Sequence, residues 1–203
     1  MGISRTVIAG VLAATLTVAG CSKNPPPSTA GSAASGSGSA GSSATAHGSA
    51  PAQPTDYAGW LIRAEDINAP ETFTASPPTN NPNGQPGVAT TFSTQDGSHV
   101  IHDTIQVLAD PDAAVNALNA AKADHAKGLK APATKPAKIG TGGTTLEGDA
   151  LDGSKGVTFL MFTEGRAFVT LEFDGPVFAL APSDFVNDVG LKQDAAVKKG
   201  LGG

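Results

Sequence analysis

Apolar and polar residues alternate most clearly near the C-terminal third of the chain. Along residues 166–173, Ala167, Val169, Leu171 and Phe173 fall on one side and Arg166, Phe168, Thr170 and Glu172 on the other. That is the period-2 signature of a strand. The preceding segment, 156–163, contains Val157-Thr158-Phe159-Leu160-Met161-Phe162, which is almost entirely apolar and predicts a central strand covered on both faces. Glu164-Gly165 joins the pair as a hairpin. A second hairpin is predicted over 88–94 and 99–108, turning at Gln95-Asp96-Gly97-Ser98, where glycine supplies the positive φ of a tight turn. Its second strand sets Ile101, Asp103, Ile105 and Val107 on one face. Val100, His102, Thr104, Gln106 and Leu108 lie on the other.

Helical signals separate these strands. Asp110-Pro111-Asp112 is an N-cap followed by proline at the first helical position and a carboxylate at the positive dipole end. The helix it opens is predicted to run to Lys127 and close at Gly128, with Ala114, Val115, Leu118 and Ala121 as its apolar side. Pro182-Ser183-Asp184 opens a second helix, with Phe185, Val186, Val189 and Val197 inward, Lys198 and Lys199 at its negative end, and Gly190 as a candidate break. A short helix or a turn of helix is predicted over 57–68, carrying Trp60, Leu61, Ile62 and Ile67, with Pro70 preventing continuation. Segments 74–87 and 130–138 read as loops, and 140–147 as a short strand. Hairpins with helices between them imply an α+β fold, an antiparallel sheet of four to five strands with helices packed on it.

The N-terminal region follows a different pattern. Arg5 precedes a thirteen-residue apolar run, Thr6 to Val18, and then the small residues Ala19-Gly20. A charged start, an apolar middle and small residues before a cut make a secretory signal, and the run is shorter than the roughly 20 residues of a bilayer span. From Ser22 to Thr55 the chain is mostly Ser, Ala, Gly, Pro and Thr. Such a segment has too little apolar surface to offset chain entropy and is expected to remain a coil with a reach of about 30–35 Å. Scattered hydroxyl residues such as Thr29, Thr45 and Thr55 are candidates for O-glycosylation. All ten aromatic residues come later, from Tyr57 onward. The organisation expected is a signal over 1–20, a tether over 21–55 and one folded domain over 56–203.

Composition narrows the chemistry. One Cys in 203 residues excludes an internal disulfide framework and any CxxC metal or redox site. With 13 Lys+Arg against 18 Asp+Glu and no basic run, nucleic acid is not an expected partner. Of the histidines, His47 lies in the tether, and His99 and His102 are three apart on a presumed strand, hence on opposite faces, so no metal site is expected. No Gly-x-Ser-x-Gly elbow occurs, and Gly140-Thr141-Gly142-Gly143 lacks the Lys-Ser/Thr of a phosphate loop, so no cofactor is expected. Asp103 shares a face with Ile101 and Ile105, where a carboxylate must be paired or its pKa rises. His125 follows Leu118 by seven residues, on the packed side of its helix.

Val18-Ala19-Gly20-Cys21 resembles the bacterial lipobox. The resemblance implies that the Cys21 thiol receives a diacylglyceryl group, that the signal is cut between Gly20 and Cys21, and that the new amino group is open to acylation. Together with the tether and the Ala-rich domain, it is similar to the secreted lipoproteins of mycobacteria and related actinobacteria. The implied location is the extracytoplasmic side of the cell membrane, held there by lipid. The element order of the domain is loosely similar to the sensor domain of a mycobacterial receptor kinase and to PsbP-like domains, although that sensor has paired cysteines which this chain lacks. The function expected is a non-enzymatic envelope protein that binds a partner protein or an apolar, lipid-like ligand. Trp60, Phe159, Met161 and Phe168 are its candidate lining, with Asp103 and His125 beside them. Plain core packing is the alternative for the four apolar residues. The competing classes are an envelope hydrolase using Asp103 with a histidine, and a protein scaffold with an exposed apolar patch.

Overall fold

The computed structural model describes residues 56–202. The expected signal, the lipidation site Cys21, the tether and His47 lie outside the described residues.

The elements in chain order are β1 (Phe73–Ala75), β2 (Thr79–Asn80), β3 (Gly87–Thr94), β4 (Val100–Val107), α1 (Pro111–Lys127), β5 (Leu129–Pro136), β6 (Thr141–Ala150), β7 (Gly156–Glu164), β8 (Ala167–Gly175) and α2 (Ser183–Leu201). All strands join one antiparallel sheet in the order β1-β3-β4-β8-β7-β6-β5, with β2 also paired to β3. The α+β class holds, but the sheet has eight strands rather than four to five. Much of the shortfall is β5, which occupies the predicted 130–138 loop. It pairs with β6 alone, only Leu129 in it is buried, and the register shifts between Lys130 and Ala133. An edge strand tolerates proline and lysine and needs no alternating apolar face, so its sequence looks like a loop. β1 and β2 are shorter still and fall where the Pro-, Asn- and Gly-rich composition also predicts a loop.

α1 begins as expected, with the Asp110 carboxylate accepting from the Ala113 amide at 2.7 Å. Its contact with the sheet runs through Ala114 and Leu118, while Val115 turns outward. Small alanines let the helix lie close to β7, and a branched valine at the centre of that stripe would hold it away. The β7–β8 hairpin pairs Glu164 with Ala167, which leaves Gly165-Arg166 as the turn, one residue later than predicted.

Of the two readings over 57–68, the single turn is the nearer: the segment forms two 3-10 turns, Ala58–Trp60 and Ala64–Asp66, with extended backbone at Leu61 in place of a continuous helix. The buried side chain of Gln193 explains the interruption. Its amide oxygen accepts from the Ile62 N–H at 3.0 Å, and its amide nitrogen donates to the Trp60 carbonyl at 2.7 Å. Two backbone groups that a continuous helix would have paired internally are thus satisfied by α2.

The two faces of the sheet carry two cores. On one, α1 covers Leu146, Val157, Phe159, Met161 and Phe168. On the other, α2 and the N-terminal turns cover Ile101, Ile105, Leu160, Phe162, Val169 and Leu171. Gly190 does not split α2. A Cβ there would stand 2.3 Å from a Leu160 methyl carbon, so this glycine lets the helix approach the sheet.

Candidate functional site

β8 ends at Gly175, and residues 176–182, Pro-Val-Phe-Ala-Leu-Ala-Pro, cross the end of the sheet to reach α2. Beneath this loop lies a cleft of about 370 Å³, walled by the 68–73 segment and by the adjoining ends of β4 and β8. Ligand sites are typically roughly 300–1,000 Å³ and mostly apolar with a few polar groups. Phe73, Ile101, Phe173, Leu180 and Phe185 provide the apolar lining. Phe185 stacks on Phe73 at 6.4 Å and meets Phe173 edge-on at 5.8 Å, which fixes the aromatic wall. On the rim, His99 Nδ1 lies 3.3 Å from a Glu71 carboxylate oxygen, with both side chains largely in solvent.

The loop is held close. A Cβ on Gly175 would come within 2.9 Å of the Ala179 carbonyl, so only glycine permits this approach. The Ala179 amide donates to the Pro176 carbonyl at 2.9 Å, and the Phe178 amide donates to the Asp149 carboxylate at 3.0 Å. Phe178 takes a φ of 63° and is 86% exposed, and Val177 and Leu180 beside it are also exposed. No ionisable residue occurs from Gly175 through Ser183.

A polar cluster occupies the part of the α1 face near β4. Lys155 Nζ reaches Asp174 Oδ2 at 2.5 Å and Glu172 Oε1 at 3.0 Å. His102 Nε2 lies 3.6 Å from the same Asp174 oxygen, and its Nδ1 is 3.2 Å from the Thr91 hydroxyl. Burial pushes the Asp174 carboxyl up, but His102 and Lys155 outweigh it and hold the carboxyl below its ordinary range. Contact with Asp174 in turn raises His102.

The residues singled out in the sequence separate across the sheet. Phe159, Met161 and Phe168 are buried under α1, with His125 stacked on Phe159 at 4.0 Å and lowered in pKa by burial. Trp60 lies on the α2 side, edge-on to Tyr57 at 5.1 Å and close against Gly200. Asp103 is fully buried on that same side, and neither carboxylate oxygen has a hydrogen-bond partner among the described residues. Burial alone pushes its pKa up to about 8. Asp103 does not meet His102, which points from the opposite face of β4, nor His125, which sits on α1 across the sheet. None of the six lines the cleft. Of the cleft's residues, Phe185, Ile101 and Phe173 read in the sequence as core. The available signal was the uncharged stretch between two prolines, which is long for a connection that buries so little.

No protein-family model matches the chain, and no curated protein matches it. Among solved structures it is similar to the extracellular domain of PknH from Mycobacterium tuberculosis, at 10% identity and a TM-score of 0.45, over 72% of this chain and 95% of that one. No residue role passes between the two at this likeness.

Proposed function

We propose that the protein is a lipid-anchored envelope lipoprotein, moored through Cys21 on the extracytoplasmic side of the cell membrane, that binds an apolar or amphiphilic small ligand without transforming it. One observation carries the reading: the cleft of about 370 Å³ with the aromatic wall of Phe73, Phe173 and Phe185 and a polar rim at Glu71 and His99. A concave apolar site with few polar groups suits a small ligand better than a protein partner. The hydrolase reading needs Asp103 beside a histidine at an open cleft, and the Asp103 carboxylate is instead enclosed without a partner among the described residues.

A pyrene-labelled long-chain fatty acid, added to the mature chain in vesicle-free solution, tests the site. The parent captures the probe. Ala179→Trp, at an exposed loop position that borders the cleft, adds bulk there and weakens capture about tenfold. Equal capture by parent and variant would remove the cleft from the argument. The anchor has its own test. Cys21→Ala shifts the protein out of the membrane fraction or traps the precursor, and an unchanged membrane fraction contradicts the mooring.

A further inference from the structure

We infer that residues 176–180 form a membrane-contact element: Phe178, with Val177 and Leu180 beside it, enters the hydrocarbon margin of the bilayer, and the cleft opens at that point. The inference rests on the anchored, ligand-binding reading above and adds where the ligand enters.

The conformation of the loop is the first support. A phenylalanine at φ 63° is unfavourable for a bulky side chain and persists only where its surroundings determine it. Here the Asp149 carboxylate holds the Phe178 amide, a turn from Ala179 to Pro176 closes behind it, and Gly175 seats the loop on the sheet end. The same loop contributes Ala179 and Leu180 to the cleft lining and leaves Val177 and Phe178 out of it, with Leu180 still exposed at the mouth. The aromatic ring is therefore held outward by a defined backbone, although Ala179 and Leu180, next to it in the chain, border an apolar cleft.

The surroundings favour lipid over protein as the occupant. A stable protein interface takes roughly 20–30 residues a side. The exposed apolar tip consists of three side chains, Val177, Phe178 and Leu180. So small a wedge is enough for a bilayer when a tether already holds the domain at high local concentration. The stretch from Gly175 through Ser183 brings no charge into the lipid. Asp149 at the loop and Glu71 on the cleft rim place acidic groups nearby, so the contact is apolar and gains nothing from anionic headgroups.

The tether allows the required orientation. The chain enters the domain beside Trp60, which packs on Gly200 near the C-terminal end of α2, whereas the cleft borders Pro182 and Phe185 at its N-terminal end. Nineteen helical residues separate these ends by about 28 Å. A coil of the expected tether's length reaches about 30–35 Å on average and roughly 110 Å when drawn out, enough to return the far end of the domain to the membrane.

The lipidated mature chain, reconstituted in phosphatidylcholine vesicles with brominated acyl chains, provides the test. Phe178→Trp gives emission that the bromolipid quenches about threefold more than Leu191→Trp, a substitution at an exposed position on α2. Trp60, buried on the α2 side, gives a common background. Equal quenching of the two variants overturns the inference. Phe178→Asp supplies a second reading. It retains capture of the pyrene fatty acid in vesicle-free solution but takes the probe up from vesicles about tenfold more slowly. An unchanged uptake rate overturns membrane entry while leaving the cleft intact, whereas lost capture by the parent in solution refutes the cleft itself. Stronger quenching with added phosphatidylglycerol also counts against an apolar contact. A dimer of the unlipidated chain that Phe178→Asp dissolves would assign the tip to a second copy instead.

Discussion

Asp103 and Asp174 lie on neighbouring strands of one sheet and titrate in opposite directions. Asp103 on β4 faces the α2 core, where burial without a partner pushes its carboxyl up to about 8. Asp174 on β8 faces the opposite way, at the margin left uncovered by α1, and Lys155 and His102 keep it below the ordinary carboxylate range. The same functional group is neutralised on one face by a proton and on the other by paired cations. The difference follows from which strand parity each residue occupies, and its consequences can be measured.

The largest effect lies with Asp103. Its pKa is higher in the folded state than the ordinary 3.8, so the folded protein holds a proton that the unfolded chain has released. The contribution of Asp103 to stability is therefore full below about pH 4 and declines as pH rises toward about 8, by an amount on the order of several kcal/mol. Urea denaturation across this range shows the slope. Asp103→Asn flattens it, and Asp103→Val makes the protein more stable than the parent at neutral pH, since it removes the buried acid altogether. A slope of several kcal/mol that survives Asp103→Asn would place the titration elsewhere.

The next effect tests how tightly the cover over the Asp103 face is packed. A Cβ on Gly200 would stand 2.3 Å from Trp60 ring atoms, whereas one on Gly59 would meet nothing within 4 Å. Gly200→Ala is expected to cost about 1–3 kcal/mol by overpacking, and Gly59→Ala close to nothing. Thermal melts of the pair decide it. Equal melting temperatures would mean that α2 and the N-terminal turns are loosely joined.

Lys155→Met carries the comparison to the other face. Removing the ammonium leaves Asp174 with His102 as its sole cation and costs about 1 kcal/mol, discounted because Lys155 is partly in solvent. Asp174 has a lowered pKa, so its contribution is present above the ordinary carboxylate range and is lost as pH falls through the folded value. The loss caused by Lys155→Met is accordingly seen at neutral pH and shrinks in acid. A uniform loss would indicate packing of the lysine stem instead of charge.

Much of the sheet was legible in the sequence and the cleft was not, for physical reasons. β4 and β8 alternate because one side of each strand meets the α2 core, and β7 is largely apolar and buried up to Thr163 because helices cover both its faces. β5 at the edge has no such constraint. The choice between a helix and single turns over 57–68 is not legible locally, because the residue that interrupts a continuous helix, Gln193, is 131 positions away from Ile62. The cleft draws its walls from segments near residues 70, 100 and 180, and Ile101 and Phe173 in it obey the same alternation as buried core. Whether such a face meets a helix or a cavity depends on the length and path of the loop after β8, which periodicity does not encode.

His102 provides the smallest and most discriminating measurement. Contact with Asp174 raises its pKa, so the stabilisation is present below its ordinary 6.5 and is lost as pH rises through the folded value. With the imidazole about half in solvent, the effect is a few tenths of a kcal/mol and shrinks further in salt. In the parent this slope has the same sign as that of Asp103 and is hidden beneath it. In an Asp103→Asn background it becomes the residual, and His102→Gln then removes it. An NMR titration of the imidazole carries the same information directly: Lys155→Met takes away a competing cation and raises His102 further, because Asp174 is then left to it alone. A fall in the His102 pKa on that substitution would show that Lys155 had been positioning the carboxylate for the histidine, and the polar face would have to be understood as one ordered network instead of two independent pairs.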